Sequence, residues 1–301
     1  MADFFDAIIK ATKLVRRRRP FSAALAFQKA MTPSGRRPGV KRTKIASKPS
    51  STSRQKARSS PLPRPAPGSF LNQEFTCRHG SLHYRLYTPK GSSRRRMPLI
   101  VMLHGCSQTA SDFAAGTGMN DLADELGFLV LYPQQSSAAN LARCWNWHSP
   151  DNQERGRGEP ALIAALTRHV AALCRANPAR IYIAGLSAGG AAASIIGAAY
   201  PDLYTAIGVH SGVSRGDIRS LGAALSAMRG RPGSRSTDRL PRQLPTIVFH
   251  GDKDRVVHPS NAGGFLHNIE RSGAGPLISR SRSGRMAGGR DYTHRVYRDR
   301  G

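Results

Sequence analysis

Acidic side chains are scarce in this chain of 301 residues: 18 Asp and Glu stand against 46 Lys and Arg, a formal charge of +28. Cysteine is scarce as well, four in all, which excludes a small scaffold built on a disulfide framework. No run of about 18 apolar residues occurs, so a protein of several membrane-spanning helices is excluded. The histidines and cysteines are scattered without zinc-ligand spacing, and no phosphate-binding P-loop is present; no metal and no cofactor are expected. What remains is 39% apolar and 7% aromatic. That composition and length suit one large domain, or one medium domain with a tail.

The charge is unevenly placed. Residues 1–68 hold 17 Lys and Arg against two acidic residues, a net +15, and after residue 68 the only lysines are Lys90 and Lys253. The start does not have the form of a secretory signal, because Asp3 and Asp6 come first and Lys10 and Lys13 interrupt the apolar set. Phe4, Phe5, Ile8, Ile9 and Val15 instead fit the stripe of a short amphipathic helix, followed by the basic block Arg16–Arg19 and Pro20. From about residue 31 to 69, Ser, Pro, Lys, Arg and Gly dominate. Such a stretch buries too little to offset its ordering entropy and reads as disordered. The arm reads first as a solvated tail and linker. The competing reading is a weak, non-specific, salt-sensitive hold on an anionic partner such as nucleic acid or lipid head groups.

From Phe70 the pattern changes to alternating strands and helices. "SLHYRLYTP" (81–89) alternates as a half-exposed strand, whereas "PLIVMLHG" (98–105), "FLVLYP" (128–133) and "RIYIAG" (180–185) are continuous apolar runs, as strands buried on both faces require. "YTAIGVHSG" (204–212) and "LPTIVFHGDKD" (244–254) add two more strands. Helices are expected over 119–127, 159–176, 188–201 and 261–273. The stretch 213–243 is polar, basic and Gly-rich, with a short apolar segment near Leu221–Met228, and reads as a lid, a binding loop or disorder. "SRSGRMAGGR" (281–290) reads as an Arg-rich loop. Alternating strands and helices imply an α/β fold with a mostly parallel central sheet flanked by helices, over residues 69–301.

Three short motifs carry chemistry. "GLSAG" (185–189) matches G-x-S-x-G between a buried strand and a small-residue helix, the context of a nucleophile elbow. Ser187 is therefore the candidate nucleophile. "LHGCSQ" (103–108) follows the first buried strand, and acyl transfer needs backbone N–H donors there. Cys106 and Ala188 are the candidate oxyanion-hole donors. "HGDKD" (250–254) ends the last apolar strand, where a carboxylate would orient a catalytic histidine. Asp254 is the first choice and Asp252 the second.

With these residues in place, the chain from about Phe70 onward resembles the poly(3-hydroxybutyrate) depolymerase and feruloyl-type esterases of the α/β-hydrolase fold. The resemblance rests on "PLIVMLHGCSQTASDFA", "LYPQQS", "CWNWH", "RIYIAGLSAGGAAA", "LYTAIGVHSG" and "HGDKDRVVHPSN", in that order. It implies a serine esterase acting on short-chain polyhydroxyalkanoates or related small esters. It also implies Trp145 and Trp147 near the cleft, where an indole suits a polyester or aryl ester as well as it suits a core. A Cys106–Cys144 disulfide is implied too. Cys77 and Cys174 read as free and buried, Cys174 on the apolar side of its helix. The resemblance points to an extracellular enzyme, with a cytoplasmic one as the alternative given the missing signal.

The resemblance fails at one point. The order Ser…Asp…His demands a histidine after one further buried strand; here both that last strand and its Gly-His loop are missing. His258, His267 and His294 do follow Asp254, but each reads as structural. The expectation is therefore a hydrolase truncated before its catalytic histidine. Its alternatives are an inactive hydrolase fold serving as a binding or scaffold protein through the basic arm, and an aminopeptidase- or lipase-like member of the same fold.

Overall fold

The computed structural model describes residues 65–91, 96–214, 216, 218–231, 244–273, 276–286 and 289–298. Nearly all of the basic arm, and the helix expected at its start, lie outside the described residues.

Seven strands form one sheet in the order β1-β2-β4-β3-β5-β6-β7. They are β1 (Phe70–Cys77), β2 (Gly80–Tyr87), β3 (Leu99–Leu103), β4 (Leu129–Gln134), β5 (Ile181–Leu186), β6 (Ala206–His210) and β7 (Thr246–Phe249). β1, β2 and β4 pair antiparallel, and β4, β3, β5, β6 and β7 run parallel. The continuous apolar runs are explained by burial on both faces. On one face Val101, Leu103, Ile183, Ile207 and Val209 pack against Ile163, Leu166, Ile195 and Ile196. These helical residues come from α3 (Gly158–Leu173) and α4 (Ala188–Ala199). On the other face Ile100, Met102, Val130 and Tyr182 pack against Phe113 and Leu122, carried by α1 (Ala110–Thr117) and α2 (Met119–Leu126).

Two expectations are corrected. The segment 213–243 is not wholly a loop: α5 (Leu221–Met228) forms in it, N-capped by Ser220 Oγ accepting from Ala223 N at 3.2 Å, and it buries Ala224 and Ala227. Eight residues carry too little periodicity to announce such a helix, and the burial comes from neighbours remote in sequence. The stretch 281–290 is not a loop throughout either. β8 (Ile278–Arg285) pairs antiparallel with β9 (Asp291–Arg298) as a separate two-stranded ribbon. β9 falls in the stretch around His294 that alternates like a strand, whereas β8 is hidden because almost every residue of it is exposed and no apolar face marks a period of two. Among the described residues β7 is one edge of the main sheet and β1 the other. The expected last helix is α6 (Asn261–Arg271).

Candidate active site

In a parallel sheet the C-terminal strand ends share one rim, and ligands bind there. Here that rim brings together the exit from β3, Ser187 after β5, His210 at the end of β6 and His250 just after β7.

Ser187 has φ 55° and ψ −119°, a conformation that costs a non-Gly residue of order 1–3 kcal/mol and persists only where its surroundings enforce it. Those surroundings are visible. Its N–H donates to His210 O at 2.9 Å, and its carbonyl accepts from Ala191 N at 3.0 Å as α4 begins. The flanking glycines are required by close approach. A Cβ on Gly185 would lie 2.2 Å from Gly189 O, and one on Gly189 would lie 2.2 Å from Leu103 O and 2.5 Å from His104 O. The start of α4 is therefore pressed against the exit of β3. Ala188, at the first position of α4, has an N–H without an intrahelical acceptor, and the helix dipole adds positive potential there.

The β3 exit is held from several sides. His104 is fully buried; its Nδ1 bonds Gly105 O at 2.8 Å and its Nε2 accepts from Gln135 N at 3.1 Å. With both ring nitrogens so used the ring is neutral, and burial pushes its pKa down. Gly105 N donates to Gln108 Oε1 at 2.8 Å and Ser107 N to Ala142 O at 2.6 Å. Between them, Cys106 N has no acceptor among the described residues. Cys106 is bonded to Cys144, so the disulfide implied by the resemblance is present. Neither Cys77 nor Cys174 is in a disulfide; Cys174 is buried as expected, whereas Cys77 at the end of β1 is only half-buried.

A half-buried carboxylate, which sequence reading did not single out, ties this loop to α3. Glu159 accepts from Gln135 Nε2 at 2.6 Å, from Asn146 N at 2.9 Å and from Asn146 Nδ2 at 2.9 Å. Gln135 Nε2 also donates to Cys144 O at 3.1 Å. Burial raises the Glu159 carboxyl above its ordinary value despite these donors. The helical stripe around Glu159 hides its role, because its partners lie 13 and 24 residues away in sequence.

Trp145 and Trp147 flank this network and both are buried, at 1% and 7% exposure. Trp145 Nε1 donates to His104 O at 3.1 Å, and Trp147 O accepts from the Gln153 amide. Both indoles thus pack the loops beneath the rim.

Asp254 is partly buried. Its Oδ1 accepts from Val256 N at 2.9 Å and Val257 N at 3.0 Å, and its Oδ2 lies 3.6 Å from His250 Nε2. Asp252 is exposed. His250 Nε2 also bonds Val257 O at 2.8 Å. The Nδ1 atoms of His250 and His210 are both buried without a hydrogen-bond partner. The His210 pKa is lowered, by burial first and by His250 next. These two histidines escaped sequence reading, which searched only beyond Asp254. The signal that would have found them is a histidine at or just after the C-terminal end of a parallel strand. Of the three histidines beyond Asp254, His258 Nδ1 faces Ser260 Oγ at 2.9 Å, His267 lies 3.7 Å from Glu270, and His294 is exposed on β9. Among the described residues none of them bonds Ser187 or Asp254.

Buried His104 and half-buried His148 and His210 set a pH dependence. His104, His148 and His210 all have pKa values lowered by burial. An unfolded imidazole protonates near 6.5, while these resist until lower pH. Their stabilising effect is therefore complete above about pH 6.5 and is lost as pH falls through that value toward the folded pKa. Glu159 acts with the opposite sign: its raised pKa favours the fold below the ordinary carboxyl range and is lost as pH rises through its folded value. The urea midpoint is expected to fall between pH 7.5 and 5.5, and to fall less in His104→Asn. An equal fall in both proteins would remove His104 from the account.

The chain is similar to known proteins over most of its described part. The esterase PHB depolymerase family model matches residues 82–276. The chain is 30% identical over 241 residues to poly(3-hydroxyalkanoate) depolymerase C of Paucimonas lemoignei, covering 68% of this chain and 57% of that protein. It is 28% identical over 233 residues to feruloyl esterase B of Neurospora crassa, covering 71% and 78% respectively. In fold it is similar to an acetyl xylan esterase from Aspergillus awamori, with a TM-score of 0.58 at 20% identity over 70% of this chain and 84% of that one. With the parallel sheet, the elbow at Ser187 and a match over most of the folded part, the chain belongs to the esterase PHB depolymerase family.

Proposed function

We propose that this chain is a carboxylic ester hydrolase that works through an acyl-serine intermediate on short-chain polyhydroxyalkanoates or related small esters. The observation that carries the reading is the strained Ser187 at the strand–helix turn, with two backbone N–H groups lacking acceptors at Ala188 and Cys106. Leu103 at the end of β3 and Gly185 of β5 are register partners, so the two donors belong to adjacent strand exits. In this reading Ser187 Oγ attacks the ester carbonyl carbon and passes its proton to an imidazole. The carbonyl oxygen becomes an oxyanion facing Cys106 N–H and Ala188 N–H, where water-excluded donors act most strongly. Collapse expels the alcohol, and water then releases the carboxylic acid from the serine. Asp254 is the orienting carboxylate: two loop N–H groups hold Oδ1, which leaves Oδ2 open toward the imidazole.

The substrate class rests on the named relatives, a polyhydroxyalkanoate depolymerase and a feruloyl esterase. An extracellular site of action is supported by the Cys106–Cys144 bond, since such bonds persist in oxidising surroundings. No helix among the described residues is long and apolar enough to cross a membrane. The test is labelling of the full chain with a fluorophosphonate probe, which reacts only with an activated serine. The expected result is one adduct on the peptide containing Ser187, absent from Ser187→Ala. No adduct on the wild-type chain would refute the reading.

A further inference from the structure

The β8–β9 ribbon has a surface of its own. Between Ile278 and Arg298 there are six arginines, no lysine and one acidic residue, Asp291. Asp291 is spent locally on Arg285 at 3.5 Å beside the turn. Alternation along each strand sorts the other side chains. One face carries Ile278, Arg280 and Arg282 from β8, registered against Arg298, Val296 and His294 from β9. Among the described residues Arg280, Arg282 and Arg298 make no ion pair.

The same face holds an aromatic seat. Gly284 is the register partner of Tyr292. A Cβ on Gly284 would lie 2.6 Å from Tyr292 Oη, 2.8 Å from Cζ and 2.9 Å from Cε1. The ring thus lies over the glycine backbone of the opposite strand, which only a residue without a side chain permits. Tyr292 nevertheless remains 39% exposed. The next cross-strand pair on this face is Arg282 with His294.

We infer that this face binds single-stranded nucleic acid, with Tyr292 as a stacking platform for a base and Arg280, Arg282 and Arg298 on the phosphates. Single-strand binders combine a cationic track with aromatic side chains on which bases stack. The exclusive use of arginine fits, because the planar guanidinium pairs with phosphate oxygens in bidentate fashion and stacks on rings. A lipid surface is less well matched, since interfacial binding also needs a continuous apolar face, and here only Ile278 and Val296 are aliphatic. A two-stranded ribbon is marginal alone in water, so a bound partner would also stabilise it. The inference is independent of the proposed hydrolase activity.

The test is fluorescence anisotropy of a labelled 20-nucleotide oligo(dT) with the full chain, titrated at several salt concentrations. The basic arm is present throughout, so the variants isolate the ribbon. Replacing Arg280, Arg282 and Arg298 together by serine is expected to weaken binding at low salt at least tenfold. It should also lower the slope of log K against log salt by about 2, for three lost phosphate contacts. Tyr292→Leu is expected to weaken binding about five- to a hundredfold. Tyr292→Phe, which keeps the ring, should bind as wild type and controls for a ribbon that Tyr292→Leu unfolds. Wild-type affinity and slope in the triple variant would overturn the inference. So would binding to phosphatidylserine vesicles without binding to the oligonucleotide, or no binding at all.

Discussion

Ser187→Ala is expected to lower p-nitrophenyl butyrate hydrolysis by about 10⁶-fold, the cost of removing the serine from a working triad. The residual rate should stay about 10³ above that of water, because the proposed oxyanion donors remain. Those donors are backbone groups at Cys106 and Ala188, and the exchange touches neither. Alanine is smaller than serine and inherits the same backbone strain, so the fold should be kept, and far-UV circular dichroism checks this. Equal rates for wild type and Ser187→Ala would mean that no base serves Ser187 in this chain, and the esterase reading would fall. A large difference poses the next question, which imidazole acts. Single replacement of His210, His250, His258, His267 and His294 answers it. The His210 carbonyl accepts from Ser187 N, and His250 lies beside Asp254.

Gly189→Ala is expected to cost more than about 4 kcal/mol, in the exceptional tail of single substitutions. The added methyl would lie 2.2 Å from Leu103 O, 2.6 Å from Leu103 C and 2.5 Å from His104 O. These are backbone atoms at the end of a buried strand, so no rotamer relieves the overlap. Either the start of α4 or the exit of β3 must move, and both carry proposed oxyanion donors. Soluble protein, if obtained, should unfold at much lower urea and fail to label with fluorophosphonate. Gly263→Ala in α6 is the control. A Cβ there meets nothing within 4 Å, and alanine in a helix interior is worth up to about 1 kcal/mol over glycine. Equal urea midpoints for the two variants would show that close packing at Gly189 is not what requires the glycine.

Much of this molecule can be read from local pattern. The buried strands around Val101, Leu131 and Ile183 are continuous apolar runs because both their faces are covered, and covering is a property each strand carries in its own composition. The elbow is equally local, since a strand, G-x-S-x-G and a run of small residues specify a turn within about ten positions. Other features have no local signature. Glu159 matters through Gln135 and Asn146, which only the packing of α3 beneath the β4 exit brings together. His210 and His250 become neighbours of Ser187 and Asp254 because parallel strands end on one rim, a relation that chain order conceals. Trp145 and Trp147 in "CWNWH" fit a cleft or a core equally well until the loop closes over them. The ribbon at residues 278–298 is strand without an apolar face, so its pairing shows only in the backbone. Sequence alone determined the fold class and marked the candidate nucleophile and the loop that faces it, because those depend on periodicity and short steric motifs. Tertiary structure alone decided which distant polar groups share a buried site and which strand ends meet, because burial and proximity arise only when the sheet assembles.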